Sequence, residues 1–156
     1  MTANLLKPMK LDVDVQIATV FSPLPAGSEL ELWVQTALRD QAKTELTLRL
    51  VDSKESSELN SRYRGKNQPT NVLSFPAELP PGVDIPLLGD IVICAPLVSE
   101  EAAAQGKSLQ AHFAHLVIHG VLHLQGYDHQ DDEQAAEMEA LEVEMLDSLG
   151  FANPYT

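Results

Sequence analysis

Hydrophobic and polar positions along the chain switch between two periods. Residues 11–17, LDVDVQI, alternate strictly, the pattern of a strand with one wet face. Ser28 and Glu31 form a capping box, after which Leu30, Trp33, Val34, Ala37 and Leu38 follow the helical repeat. Alternation returns at Leu46, Leu48 and Leu50, a second strand. By elimination residues 54–63 form a short polar helix, and Gly65, Asn67 and Pro69 mark a loop. TNVLSFPA reads as a third strand closed by Pro76, and LLGDIVICA is almost continuously apolar, as expected of a strand covered on both faces. Pro96 can open a helix that Gly106 stops, and Ser108 can cap a longer one reaching about Gly126. A last helix over roughly 131–149 turns Met138, Leu141, Met145 and Leu149 inward. Strands and helices mix without regular alternation, which predicts an α+β fold: a single four-stranded mixed sheet packed by about five helices.

Composition narrows the class. A chain of 156 residues, 44% hydrophobic and 21% charged, fits one globular domain spanning 1–156 and large enough to need no disulfide staples. Its one cysteine, Cys94, rules out an internal disulfide and suits a reducing compartment; in an apolar strand it reads as a small buried hydrophobe. The N-terminal MTANLLKPMKLDVDVQ lacks the apolar stretch of a signal peptide, and no run approaches the ~18 apolar residues of a membrane span. The expectation is a soluble cytoplasmic protein with no membrane partner. The net charge of −13 is unevenly spread: no Lys or Arg follows Lys107, so residues 108–156 carry −9, while the first 107 carry ten basic against fourteen acidic groups. Arg62, Arg64 and Lys66, in RYRGK, make one locally basic spot on an acidic background, and the acidic last helix reads as a solvated face.

All five histidines fall between residues 112 and 129. His112, His115, His119 and His123 share one stripe of the long helix, since steps of three and four return to the same face. His119 and His123 are one turn apart, about 6 Å along the axis, so both rings can aim at one ion. After Gly126 the run YDH turns the chain back, and His129 can reach the same point from the loop. Three imidazoles leave the fourth leg of a tetrahedron for a metal-bound water, whose pKa a zinc-like ion can lower to about 7. His115 is also one turn from His119, so pair geometry alone does not choose between them; the nearness of His129 to His123 favours the downstream pair. His112 and His115 then read as supporting or surface residues.

The run HGVLHLQGYDH closely resembles the signature of the YbeY family of metal-dependent endoribonucleases of bacterial ribosomal RNA maturation. LNSRYRGKNQPTNVLSFP, residues 59–76, is similar to that family's second signature and LLGDIVIC, residues 87–94, to its third, in the same order. The resemblance, over roughly residues 45–150, implies one zinc ion per chain on His119, His123 and His129, with another divalent transition metal as the alternative. It also implies that Arg64 acts beside the metal on the phosphate. The implied substrate is single-stranded RNA, with 16S ribosomal RNA 3′-end maturation and ribosome quality control as the role, and the small ribosomal subunit and its assembly factors as partners. Arg62 and Lys66 are candidate substrate contacts; His115 and Asp128 are candidate supports for the ligands.

Arg64 suits that role on its own chemistry, because a planar guanidinium donates two parallel hydrogen bonds to phosphate; it stands before Gly65, where backbone can approach a ligand closely. A thermolysin-like peptidase is poorly supported, because the position that would carry the general base after the first histidine is Gly120. Asp128 can orient a ligand or cap the last helix. A non-catalytic assembly factor with a structural metal is the third reading, and an open coordination position would argue against it.

Overall fold

The computed structural model describes residues 11–40 and 42–156; residues 1–10, the first part of the segment read as lacking a signal peptide, lie outside the described residues. The described residues form strands β1 (Asp12–Ala18), β2 (Glu45–Val51), β3 (Val72–Pro76) and β4 (Leu87–Cys94). They also form helices α1 (Gly27–Ala37), α2 (Ser53–Arg64), α3 (Ala95–Gln105), α4 (Leu109–Leu124) and α5 (Asp132–Ser148). The sheet order is β1-β2-β4-β3, with β1, β2 and β4 parallel and β3 antiparallel to β4. This is the α+β fold with one mixed four-stranded sheet that the patterning predicts. Among the described residues no helix is long and apolar enough to cross a membrane.

The alternating leucines of β2 show why one face of the sheet holds most of the core. Leu46, Leu48 and Leu50, with Ile91 and Ile93 of β4, meet Trp33 and Val34 from α1, Phe113 and Val117 from α4, and Met138 from α5. The opposite face is covered only in part. There α2 packs over a smaller cluster of Val51, Leu73, Val92 and Cys94, while Asp90, on the same face as Val92, stays exposed. Double coverage of β4 is therefore limited to its C-terminal half, and the uncovered part leaves a groove beside α2. Cys94 is buried, as its apolar surroundings suggest.

One local expectation is corrected. Helix α1 begins two residues earlier than a Ser28–Glu31 box would place it: Ala26 is the N-cap, and the Glu29 carboxylate accepts the Ala26 N–H at 2.9 Å. Alanine cannot cap with its side chain, and Glu29 is also engaged by Gln110 of α4, so a tertiary contact selects the start. Gly65, read as a point of close backbone approach, has a structural task of its own. It ends α2 in the left-handed region (φ 71°), donating to the Ser61 carbonyl at 3.1 Å while Lys66 N–H reaches the Asn60 carbonyl, the usual glycine stop of a helix.

Candidate active site

The site lies where α4 crosses β3 and β4. Ser108 caps α4, its hydroxyl accepting the Ala111 N–H at 3.1 Å. At Gly120 the helix comes so near the sheet that an added Cβ would sit 3.1 Å from two Ile91 methyl carbons and 3.3 Å from the Ser74 hydroxyl. That approach puts His119 and His123, on the adjoining face, over the edge of β3. It also explains why no glutamate follows His119: position 120 is buried between helix and sheet and offers no room for a carboxylate.

Past Leu124 the chain is turned by small devices. Gln125 donates to the Ala37 and Val121 carbonyls at 2.7 and 3.1 Å and accepts the Arg39 N–H at 2.6 Å, tying the end of α4 to α1. Gly126 takes φ 96°, which L side chains resist. Asp128 accepts the His129 backbone N–H at 2.7 Å, and Asp131, not Asp128, caps α5 by accepting the Gln134 N–H at 2.8 Å. His129 is thus presented back toward α4. The ring centroids of His119, His123 and His129 lie 5.5–5.7 Å apart, and one nitrogen from each falls within 4.8 Å of the others. Three tetrahedral ligands at ~2.0–2.1 Å from an ion sit about 3.3 Å apart, a difference that small side-chain rotations close. The donor set fits a metal ion.

Glu142 of α5 completes this arrangement, and the sequence reading missed it. The His119 Nδ1–H donates to Glu142 Oε2 at 3.1 Å, which leaves Nε2 as the lone-pair nitrogen of that ring. The other carboxylate oxygen accepts from His115 Nε2 and from the Tyr155 hydroxyl, each at 2.5 Å. Glu142 is only 1% exposed. Burial pushes its carboxyl pKa up, but the hydrogen bonds from His115, His119 and Tyr155 outweigh burial and hold it at about 2, so it is a carboxylate. The His123 pKa is lowered, first by burial and then by the nearby His119, with Asp128 acting in the opposite sense. Lowering favours the neutral imidazole that binds metal. His112 lies apart, buried, with Nε2 2.9 Å from Glu101, whose same oxygen accepts from Asn71.

Opposite the histidines, a cleft of about 520 Å³ is closed by Arg64, Tyr63 and residues 70–75. Arg64 ends α2, and the loop that follows is pinned by two buried polar side chains of that helix. Ser56 exchanges hydrogen bonds with both backbone groups of Thr70 at 2.9 Å, and Asn60 donates to the Gln68 carbonyl at 2.8 Å. The structure therefore brings together Arg64, His119, His123 and His129. Arg62 and Lys66 are exposed and do not line this cleft, His115 reaches it only through Glu142, and Asp128 holds backbone.

A family model described as endoribonuclease YbeY matches residues 25–150. The chain belongs to the YbeY family. It is an endoribonuclease by that membership, a hydrolase acting on phosphodiester bonds of RNA, and its three-histidine cluster can hold a metal ion. The solution structure of TM1509 from Thermotoga maritima is similar over 88% of this chain and 91% of its own, with 26% identity and a TM-score of 0.52.

Proposed function

We propose that this YbeY-family chain is a single domain and a single-strand-specific, metal-dependent endoribonuclease of ribosomal RNA processing, with His119, His123 and His129 as ligands of one zinc ion. The observation that carries the reading is the convergence of three imidazole nitrogens across a cleft from Arg64. When bound, the ion supplies Lewis-acid stabilisation of phosphate charge and a nucleophile at neutral pH. Arg64 holds the non-bridging phosphate oxygens and stabilises the charge that builds on them. Glu142 keeps His119 in the tautomer that offers Nε2 to the ion, supported by His115 and Tyr155. The walls of the cleft, formed by Tyr63, Thr70, Asn71 and β3, restrict access to a flexible strand.

A role in 16S 3′-end maturation and ribosome quality control, in the cytoplasm and with the small subunit and its assembly factors, rests on the three family-like runs RYRGK to SFP, LLGDIVIC and HGVLHLQGYDH. A peptidase is disfavoured, because the base position is buried glycine packed on Ile91 and Ser74. Zinc-replete wild type and His119→Ala, each incubated with single-stranded RNA and with unfolded polypeptide, test the proposal. Cleavage of RNA alone, lost in the variant, is expected; polypeptide cleavage, or RNA cleavage undiminished in His119→Ala, contradicts it.

A further inference from the structure

Tyr63 stands in the last turn of α2 and is 58% exposed. An exposed aromatic alone means little, but its surroundings are specific. It lines the histidine cleft together with Arg64, and it also lines the wider groove of about 770 Å³ on the uncovered half of the sheet. Its ring meets Phe75 of β3 edge to face, with centroids 4.9 Å apart and planes at 61°, so the neighbour sets its orientation. Beyond it the groove carries exposed Asp90 and Glu78, and its guanidinium, Arg49, is taken by Glu55 at 2.6 and 2.9 Å. Phosphate is therefore repelled from the groove, whereas the neutral face of a base is not.

The charge of the whole chain points the same way. At −13, and with Arg64 the cation that lines the cleft, backbone contacts can hold an RNA strand only weakly. Stacking on an aromatic ring needs no positive charge and accepts any base. We propose that Tyr63, braced by Phe75, is a stacking platform for a nucleobase of the strand, beside the nucleotide whose phosphate Arg64 holds. This deepens, and rests on, the reading of the histidine cleft as the place where RNA is cut.

The test is stopped-flow fluorescence anisotropy with zinc-replete protein, read before cleavage, using labelled hexaadenylate and an abasic ribose-phosphate strand of equal length. Wild type should bind hexaadenylate the more tightly. Tyr63→Leu should weaken hexaadenylate binding about 5- to 150-fold and leave the abasic strand unchanged, while Tyr63→Phe, which keeps the ring, should bind as wild type. Arg64→Ala should weaken both strands alike. Equal binding of the two strands by wild type, which needs no variant, overturns the proposal, as does a Tyr63→Leu loss shared equally by both strands. Either result leaves RNA cleavage at the histidines standing; undiminished cleavage by His119→Ala instead removes that reading.

Discussion

A carboxylate as deeply buried as Glu142 persists on α5 because three donors converge on it, and that convergence decides which nitrogen His119 presents. Replacing it by Gln removes the charge and turns one acceptor into a donor facing His115, His119 or Tyr155. Glu142→Gln should lower zinc affinity about 10- to 100-fold, measured by chelator competition; affinity equal to wild type would remove Glu142 from the site. Arg64 is exposed and supports no packing, so Arg64→Ala should leave metal content and thermal midpoint nearly unchanged while cutting the RNA cleavage rate roughly 10²- to 10³-fold. Normal turnover by a folded, metallated variant would contradict its role. These residues were unequally legible. His119, His123 and His129 stand out because a one-turn step followed by a glycine turn leaves few other geometries. Glu142 hid among the acids of a helix whose Asp132, Glu133, Glu137 and Glu139 are indeed exposed. Its position, four residues after Met138 and three before Met145 on the buried stripe, was the available signal.

Elements read best where one periodicity governs both sequence and environment. β2 and α4 are of that kind. Helix α2 looked merely polar, because its buried residues, Ser56 and Asn60, bury hydrogen bonds to the following loop rather than apolar surface. The expected apolar stripe of α5 was also displaced: Leu141 and Leu149 are half-buried, and Glu142 and Leu146 join Met138 and Met145 inside. Close packing of α4 on the sheet gives a test at this scale. Gly120→Glu would create an H-E-x-x-H sequence, yet it forces a carboxylate between Ile91 and Ser74. It should destabilise the protein by about 3 kcal/mol or more, read as a fall in urea midpoint, and confer no peptidase activity. An unchanged midpoint would mean that the helix does not lie as close to the sheet as described.

Over the whole molecule the charge distribution sets how RNA is reached. The 108–156 segment has no cation, and the basic spot near the cleft consists of Arg62, Arg64 and Lys66. Three phosphate contacts at most give a salt dependence of log affinity against log salt no steeper than about −2 for a single strand. Binding to naked single-stranded RNA across a salt series should therefore be weak and shallow, and binding to small ribosomal subunits tighter, through a basic partner facing the acidic half. Tight binding to naked RNA at physiological salt, with no gain on subunits, would contradict docking. The central claim, cleavage by a metal held on three histidines, is tested most directly by titrating zinc into chelator-stripped protein and following the rate of single-stranded RNA cleavage, for wild type and His123→Ala in parallel. Wild-type activity should be absent at the start and return in full at one zinc per chain, while His123→Ala stays inactive over the same range; full activity in stripped wild type, or recovery of the variant at the same stoichiometry, would contradict the account.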